Sequence, residues 1–437
     1  MKRVLIVAPH FPPVSAADGH RARISVRHFA EFGWEPIVLT VDAAMQEDLC
    51  EPELVDTLPA GLRVISVSAM PVRLARMFGV GNVALRAWPQ LCRAGAAAIR
   101  QHRVDLVYFS TTMFAAMPLG RIWKRLFGVP YVLDMQDPWR VDAPPARGSV
   151  KHKGARQLHG WLEAFTMRKV DGLIAVSPGY IDTLRLRYPA IASDACRTIP
   201  FGAAIEDFAV ATARSWNNPY FTAGARGPHG VSLGRGGTDM AVAASILFRA
   251  LGLLRRADTP APMGPLHFVG TDYAPGATGM CSLAPVAASE GVAELVHEVP
   301  ARMAYLDGLR LLVDADFLVL LGSTDPEYSP SKVYPYLLSG RPIVSVLHES
   351  SPVVELLRRS ACGPLVTFSS RPDVAGLAQA LAGQLRELFE CLPCYSALDE
   401  TLYQTFSAHA LAEQQCELFD RVIHSRDVRT AMVPCRG

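Results

Sequence analysis

Short apolar runs rich in β-forming residues alternate with helical patterns along this chain, and the alternation occurs twice. Runs that are apolar throughout, and that are joined by helical segments, are typical of parallel strands whose sheet is covered by helices. Two such series predict two doubly wound α/β domains, with ligand bound over the carboxyl ends of the strands. The first series covers residues 4–8, 36–41, 64–67, 105–109, 131–133 and 172–176, and the second covers residues 231–233, 266–269, 295–296, 317–321, 343–346 and 365–368.

The length of the chain agrees with more than one domain. A chain of 437 residues is too long for one ordinary core, and a stretch bearing Gly and Pro at 217–230 separates the two series. We therefore predict a first domain at 1–208, a linker at 209–230, a second domain at 231–400, and a C-terminal helical segment at 401–437.

Composition argues against several classes of protein. Half of the residues are hydrophobic, 19% are charged and the net charge is +2, so a globular fold is expected and nucleic acid is not an expected partner. No apolar run approaches the roughly 20 residues that span a bilayer, and the run at 4–8 stops at Pro9, as a first core strand would. The nine cysteines are scattered and odd in number, which favours a cytoplasmic protein without a disulfide framework.

The segment SPSKVYPYLLSGRP, from Ser329 to Pro342, predicts a helix that leads into a strand. Pro330 suits a first helical turn, Ser329 is a candidate N-cap, and Gly340 would end the helix. Free N–H groups at a helix start, together with Lys332, favour a bound phosphate. An ordinary helix of an α/β domain is the alternative, and the spacing alone favours that alternative.

A glycine-bearing turn follows the first strand of the second series, in the sequence VSLGRGGTDM at 231–240. Glycines such as Gly236 allow backbone N–H groups to approach a diphosphate, and Arg235 adds positive charge. Thr238 or Asp239 would cap the helix that follows. A plain turn between a strand and a helix is the alternative.

Two loops of the first domain carry candidate polar residues. In the loop at 9–23, Gly19 allows close approach to an anion that Arg21 could neutralise, although the stretch can also be a simple connection. This turn lacks the Gly-x-Gly-x-x-Gly pattern of a dehydrogenase. Asp134 and Asp137 follow the strand at 131–133, and residues just past a strand end are where ligands bind in a doubly wound domain. The proline that follows Asp137 holds the backbone of that residue extended. A carboxylate there could bind or position an attacking hydroxyl, with helix capping as the alternative.

Two further patterns are weaker. Asp314 and Asp316 could suggest an Asp-x-Asp metal site, but they directly precede an apolar strand, which favours a structural role. Cys391 and Cys394 lack a second pair or a nearby histidine. No metal site is therefore predicted. The basic loop at 141–156 follows Asp137, and we expect it to cover or contact an acceptor.

In this order the motifs resemble those of the retaining glycosyltransferases of the GT-B fold, family 4. The segment from Ser329 is similar to the nucleotide-sugar-binding segment of a subgroup with the pattern Ser-Lys-x-Tyr-Pro-Tyr. The turn at Arg235 resembles the family's Gly-Arg…Lys-Gly turn without its lysine. Residues 131–139 resemble its Arg-Asp-Pro-Trp variant, with Gln136 in the place of Arg. The first loop resembles its Pro-Pro…Gly-Gly loop, with Asp18 in the place of the first glycine.

The resemblance implies two Rossmann-like domains that face each other across a cleft, the first on the acceptor side and the second binding the nucleotide sugar. It also implies that the C-terminal helix at 401–437 could cross back onto the first domain. It implies a metal-independent, hexosyltransferase-like enzyme without a cofactor, which transfers a sugar from a nucleotide-sugar donor to a hydroxyl acceptor with retention. The acceptor could be a saccharide, a lipid-linked molecule or a small molecule, and peripheral contact with a membrane stays open. The alternatives are a nucleotide-sugar epimerase of the same fold and a non-catalytic binding or scaffold protein, which Asp18 and Pro335 leave open.

The resemblance also implies roles for individual residues. The family has two glutamates spaced eight positions apart. The first contacts the sugar and corresponds to Glu327 in this chain. The second contacts the ribose and corresponds to Pro335. We expect Pro335 to distort a helix that begins near Pro330. The implied catalytic residues are Asp137 and Glu327, the implied donor-binding residues are Gly19, Arg235, Gly236, Ser329, Ser331 and Lys332, and the implied acceptor-side residues are Arg21, Asp134 and Trp139.

Overall fold

The computed structural model describes residues 1–77, 80–140, 150–221, 227–257, 263–272, 279–394 and 398–431. The chain forms two compact units: Met1–Gly202 together with Phe406–Gly437 make the first, and Ala203–Thr405 make the second. Each unit is built on one parallel β-sheet, so the expected pair of α/β domains is confirmed. No helix in the described ranges is long and apolar enough to cross a membrane.

The first unit contains a seven-stranded sheet in the order β3-β2-β1-β4-β5-β6-β7. All of its strands are parallel, and β1 lies between β2 and β4, with Val4 beside Pro36 and Leu106. Because the chain moves outwards in one direction from β1 and in the other direction from β4, the loops after these two strands diverge and leave a crevice. The strands are β1 Lys2–Val7, β2 Trp34–Val41, β3 Arg63–Val67, β4 Leu106–Ser110, β5 Tyr131–Met135, β6 Gly172–Ala175 and β7 Cys196–Thr198.

Helices join these strands and supply the rest of a single apolar core, in which side chains of the inner strands, such as Leu5, Leu39 and Val107, are fully buried. The edge strand β3 is largely exposed. The continuous apolar character of strands such as β4, in which every residue is buried, follows from this covering by helices. The helices are α1 His20–Ser25, α2 Val72–Met77, α3 Val83–Arg86, α4 Trp88–His102, α5 Pro118–Phe127, α6 Val150–Met167 and α7 Pro178–Arg187.

The second unit contains a six-stranded parallel sheet in the order β10-β9-β8-β11-β12-β13. Its order reverses between β8 and β11. The strands are β8 Gly230–Leu233, β9 Leu266–Val269, β10 Val296–Val299, β11 Phe317–Leu321, β12 Ile343–His348 and β13 Leu365–Phe368. The helices are α8 Ile205–Ala213, α9 Ala241–Arg255, α10 Ala284–Ser289, α11 Tyr305–Asp314, α12 Val333–Leu338, α13 Val354–Ser360, α14 Val374–Cys391 and α15 Glu400–Tyr403.

The division between the units differs from the boundaries drawn from the sequence at 208 and 230. Helix α8 lies across that boundary and packs against α11 of the second unit, where Phe208 is buried. The Tyr305 hydroxyl donates a hydrogen bond to Asp207 at 2.9 Å, and Arg214 pairs with Asp307 at 3.2 Å. The Gly- and Pro-bearing stretch is therefore not a linker between units, since the chain has already entered the second unit at Ala203.

The last helix, α16 (Ala408–Ala431), belongs to the first unit. It packs against α1 and against β6 and β7, and its Phe419 ring lies 5.4 Å from the ring of Trp34. The amide of Gln415 donates to the buried Ser25 hydroxyl at 3.1 Å. The first unit is therefore completed by residues from the far end of the chain.

Candidate functional site

The sheet order of the second unit reverses between β8 and β11, and the two segments predicted to bind a diphosphate meet at this point. A pocket there is lined by Gly234 and Arg235 after β8, by Leu321 at the end of β11, and by Tyr328 and Lys332 on the segment that leads to α12. Ligands of open α/β sheets bind at such a reversal, over the carboxyl ends of the strands. The structure thus joins the glycine turn to the Ser329–Pro342 segment.

The glycine turn is held by the neighbouring strand rather than left open to a ligand. The N–H of Gly234 donates to Val269 at 2.7 Å, and the N–H of Gly236 donates to Thr271 at 2.8 Å. The N–H of Gly237 donates to the Ser282 hydroxyl at 2.9 Å. These three N–H groups are therefore already satisfied, which corrects the expectation that Gly236 offers its N–H to a diphosphate. A Cβ atom at Gly236 would lie 2.5 Å from the Ser282 Oγ, so this glycine serves close packing.

The side chain of Lys332 lies directly against the turn. Gly234 has a φ of +100°, in the left-handed region, and a Cβ atom there would overlap Cε and Nζ of Lys332. Among the described residues, the Lys332 ammonium has no hydrogen-bond or ion-pair partner. Burial, together with the charge of Arg235, lowers the pKa of Lys332 to about 7. An anion bound in the pocket would supply the missing counter-charge.

Arg235 is placed in the same pocket but is already paired. Its guanidinium donates two hydrogen bonds to the Asp239 carboxylate, at 3.0 and 2.7 Å, and lies 5.1 Å from the ring centre of Tyr328. The hydrogen bonds from Arg235 lower the pKa of Asp239. Of the two predicted cations, Lys332 is thus the one whose charge the described residues leave without a neutralising partner.

The segment before α12 departs from the sequence expectation in its helix start. Helix α12 begins at Val333 instead of near Pro330, with Lys332 in the cap position, and Ser329 makes no capping hydrogen bond. Pro335 is the third residue of the helix, where a backbone N–H has no partner within the helix. Pro335 therefore does not distort the helix, which corrects that expectation. Ser329 is half-buried and Ser331 is exposed.

Tyr336 is a residue of this site that the sequence analysis missed. It is 1% exposed, and its hydroxyl accepts a hydrogen bond of 2.6 Å from the backbone N–H of Leu233 at the end of β8. This bond ties α12 to the strand that precedes the glycine turn, and so fixes Lys332 relative to Gly234. A buried tyrosine hydroxyl usually has a polar partner. The presence of a tyrosine in an otherwise apolar helix could therefore have indicated a hydrogen bond at this position.

Glu327 precedes the pocket-lining Tyr328 and is exposed. Its backbone N–H donates to Asp325 at 3.0 Å, which shapes the connection between β11 and α12. The structure therefore places Glu327 at the carboxyl edge of the second sheet, beside the pocket and outside its lining.

The crevice of the first unit, between β1 and β4, is occupied by the chain's own carboxylate. Asp18 accepts hydrogen bonds from His10 Nδ1 at 2.7 Å, from Thr111 Oγ1 at 2.7 Å and from the Thr112 N–H at 3.1 Å. Burial alone would raise the pKa of Asp18, but these bonds and the His10 charge lower it overall. The pKa of His10 is raised, because Asp18 outweighs the effect of burial. His10 and Asp18 thus form a buried ion pair.

Gly19 lies next to this pair. A Cβ atom at Gly19 would be 2.7 Å from the His10 carbonyl oxygen, so the glycine allows the loop to fold back on the end of β1. The sequence predicted that an anion would approach Gly19 closely. In the structure the backbone of the same loop, at His10, takes that place.

Arg21 and Asp134 form a second buried pair, with 2.9 Å between Arg21 Nε and the Asp134 carboxylate. Arg21 also donates to the carbonyls of Pro200 and Ile199, at 3.1 and 3.0 Å. Asp134 is fully buried, and burial raises its pKa although Arg21 opposes that effect. Neither side chain is open to an acceptor, which corrects the expected acceptor-side role. The pair joins α1, which carries Arg21, to β5 and to the segment that follows β7.

Asp137 is exposed, in contrast to Asp134. Partial desolvation, and then the charge of Asp18, raise the pKa of Asp137. Trp139 is 8% exposed, stacks on Phe114 at 5.2 Å and donates to His159 at 3.1 Å, so it supports the loop that carries Asp137. Residues 141–149 of the basic loop lie outside the described residues.

The described residues contain no group of three or more His, Cys, Asp or Glu side chains arranged to hold a metal ion. Asp314 and Asp316 have structural partners. The Asp314 carboxylate accepts from Trp216 at 2.7 Å, and that of Asp316 accepts from the His229 N–H at 2.8 Å. Both carboxylates thus fasten loops of the second unit.

Comparison with known proteins gives one family match for part of the sequence and several matches for the fold. Residues 19–202, within the first unit, match the model of the glycosyl transferase 4-like domain family. No curated protein matches the sequence.

Several solved structures share the fold over nearly the whole chain. The N-terminal domain of the Candida albicans trehalose-6-phosphate phosphatase is 13% identical, with a TM-score of 0.58, over 96% of this chain and 97% of that one. A UDP-forming α,α-trehalose-phosphate synthase from Burkholderia xenovorans is 12% identical, with a TM-score of 0.57, over 97% and 99%. A putative UDP-N-acetylglucosamine 2-epimerase from Listeria monocytogenes is 10% identical, with a TM-score of 0.53, over 97% and 98%. At this identity the likenesses show the fold, which is GT-B, and no more.

Proposed function

We propose that this protein is a GT-B glycosyltransferase that moves a sugar from a nucleotide-sugar donor to a hydroxyl group of an acceptor. The observation that carries the proposal is the Lys332 ammonium. It lies against Gly234 at the reversal point of the second sheet, and no described residue neutralises it. The match of the first unit to the glycosyl transferase 4-like domain supports the same reading.

Lys332 is suited to the diphosphate of the donor. A diphosphate in the pocket would pair with the ammonium and would raise its pKa from about 7 towards the usual value. Arg235 would add a second positive charge by sharing its contact with Asp239. Charge that develops on the departing diphosphate would then be stabilised by groups already in place, which is the main electrostatic contribution to such transfers.

The sugar and the acceptor are assigned to two exposed carboxylates. Glu327, beside the pocket, would contact the transferred sugar. Asp137, with a raised pKa, would accept or position the proton of an attacking hydroxyl. Retention of configuration, independence from metal ions and a saccharide, lipid-linked or small-molecule acceptor belong to the proposal, through the resemblance to family 4.

An epimerase acting on nucleotide sugars is the second candidate, favoured by the likeness to a putative UDP-N-acetylglucosamine 2-epimerase. An epimerase would change the sugar of a nucleotide sugar without an acceptor, whereas a transferase would release the nucleoside diphosphate. Product analysis by NMR, with and without acceptors, separates the two. A scaffold protein would do neither, and Pro335 no longer favours that reading, because it fits the first turn of α12.

The test of the donor site is calorimetric titration with nucleoside diphosphates, with and without a chelator. Lys332→Ala should weaken binding by about tenfold to 150-fold, because a lost charge-assisted contact costs roughly 1.5–3 kcal/mol. Lys169→Ala, which removes an exposed lysine of the first unit, is the matched control and should bind as the parent does. Glu327→Gln should spare diphosphate binding and reduce transfer. Unchanged affinity in Lys332→Ala would overturn the site, and loss of binding with chelator would overturn its independence from metal ions.

A further inference from the structure

The outward face of α6 exposes an apolar cluster that the fold of the first unit does not use. Leu158 is 56% exposed and Trp161 is 62% exposed, and the Trp161 ring stacks on that of Phe165 at 5.5 Å. The spacing of these residues, i, i+3 and i+7, puts them on one side of the helix. The chain has six tryptophans, all within the described residues, and Trp161 is the one whose side chain is exposed.

The opposite side of α6 accounts for its attachment to the unit. Glu163 is fully buried and accepts from Arg187 at 2.6 Å and from Tyr188 at 2.7 Å. Met167 is also buried, in the core of the unit. Leu158 and Trp161 are therefore not needed to hold the helix in place. An exposed apolar cluster on a well-anchored helix is typical of an interaction surface.

The helix that carries the cluster and its neighbour α5 contain more basic than acidic residues. Helix α5, PLGRIWKRLF, and helix α6, VKHKGARQLHGWLEAFTM, contain three Lys or Arg residues each in their sequences, and one acidic residue between them, the buried Glu163. One of these cations is already paired, since Lys124 Nζ lies 2.7 Å from the Asp171 carboxylate. The guanidinium of Arg121 lies 4.3 Å from the ring centre of Phe165. Arg125 and Arg156 are exposed and form no ion pair with a described residue. This excess contrasts with a net charge of +2 for the whole chain.

We propose that the outward face of α6, with Leu158, Trp161 and Phe165 at its centre, docks on the surface of an anionic lipid bilayer. A tryptophan flanked by cations suits the boundary between headgroups and acyl chains, where the ring is buried and the cations meet lipid phosphates. The helix lies on the surface in this arrangement and does not cross it, in agreement with the lack of a spanning helix among the described residues. The docking does not depend on glycosyl transfer.

The charge of this face favours an anionic bilayer over a second copy of the chain as its partner. In a two-fold dimer the same face meets itself, so the cations of α5 and α6 would oppose one another. A bilayer containing acidic lipids offers a continuous negative surface instead, and its attraction is weakened by salt.

The experiment is flotation of the full-length protein with vesicles of phosphatidylcholine alone, or of phosphatidylcholine with phosphatidylglycerol. We expect binding to the second kind only, and weaker binding at high salt. Leu158→Ala combined with Trp161→Ala should reduce the bound fraction about tenfold, and Arg156→Glu should reduce it further. Leu74→Ala is the matched control, because Leu74 is 50% exposed on α2, which follows β3 at the other edge of the sheet. It should leave binding unchanged.

Three results would overturn the inference. One is equal binding to both kinds of vesicle, and another is equal loss of binding in the control and in the double variant. The third is a parent protein that ignores vesicles but forms dimers that the double variant breaks, as measured by sedimentation velocity. Since both leucine sites and Trp161 are exposed, melting temperatures of all variants should stay near that of the parent, which excludes misfolding as the cause.

Discussion

The side chain of Lys332 occupies the space that a Cβ atom at position 234 would need. Gly234 therefore does two things at once. Its φ of +100° lets the chain turn after β8, and its missing side chain lets an ammonium approach the backbone of the turn. The lysine that is proposed to bind the donor is thus positioned by a glycine that lies far from it in sequence.

Gly234→Ala should weaken binding of a nucleoside diphosphate by about tenfold or more, because the new methyl group displaces the Lys332 ammonium from the turn. Titration calorimetry measures this directly. Gly291→Ala is the control, since Gly291 also has a positive φ, +73°, but has open space around its Cβ position. Both variants should lose about 1 kcal/mol of stability through backbone strain, and only the first should lose affinity. Equal affinities in the two variants would contradict the role given to Lys332.

Binding of the donor should depend on pH through Lys332. In the free protein its pKa is about 7, and a bound diphosphate should raise that pKa towards 10.5. Affinity should therefore be constant below pH 7 and should fall by about tenfold per pH unit above it, until the pKa of the complex is reached. A nucleotide sugar is the ligand to use, because its diphosphate has no terminal phosphate that titrates in this range.

Calorimetry at pH 8 in buffers of different ionisation enthalpy should reveal the uptake of nearly one proton on binding. Lys332→Ala should bind more weakly and without proton uptake. A parent protein whose affinity is flat between pH 7 and pH 9 would show that the ammonium is not the group that meets the diphosphate.

Acid should destabilise the second unit through His267. Burial, together with the charges of His297 and His229, lowers the pKa of this histidine to about 4. The unfolded chain then binds a proton more readily than the folded one between pH 6.5 and pH 4, so stability rises with pH across that window. The expected loss between pH 7 and pH 5 is about 2 kcal/mol. Denaturant titrations at the two pH values measure it.

His267→Phe should reduce this dependence, since the ring is flanked by aromatic neighbours, Phe221 at 5.5 Å and Tyr220 at 5.8 Å. His424→Gln, at an exposed position on α16, should leave the dependence as it is in the parent. The same slope in all three proteins would exclude His267 as its source.

The buried pair of His10 and Asp18 should be strongly coupled. Asp18→Ala leaves the imidazolium and the Thr111 hydroxyl without their acceptor, so it should cost about 3–5 kcal/mol of stability. His10→Ala made in the same chain should recover part of that loss, because the uncompensated charge is removed. Acetate should raise the melting temperature of Asp18→Ala by filling the vacated carboxylate position, and should have no such effect on the double variant. Additive losses, without rescue, would mean that the two groups act independently.

The positions of the strands and the place of the candidate site could be predicted from the sequence, because both depend on local patterns. Apolar runs such as β11 identify strands, and the carboxyl ends of parallel strands lie at one edge, so the turn at Arg235 and the segment at Lys332 were expected at the same edge. They are neighbours because β8 lies beside β11, which the structure shows. The bonding of individual polar groups could not be predicted. The N–H of Gly236 donates to Thr271, and Asp134 forms an ion pair with Arg21. Both contacts join segments that only the folded chain brings together.

The chain returns to its first unit at Phe406 after building the whole of the second, which has a consequence for biosynthesis. The second unit is one continuous stretch and can be completed as soon as it leaves the ribosome, although it is encoded later. The first unit must wait for α16. Until Phe419 arrives, the rings of Trp34, Phe29 and Tyr108 lack the aromatic neighbour that covers them in the finished protein. The nascent chain therefore carries an unfinished apolar surface throughout the synthesis of its second half, and that surface is where a chaperone would be expected to bind.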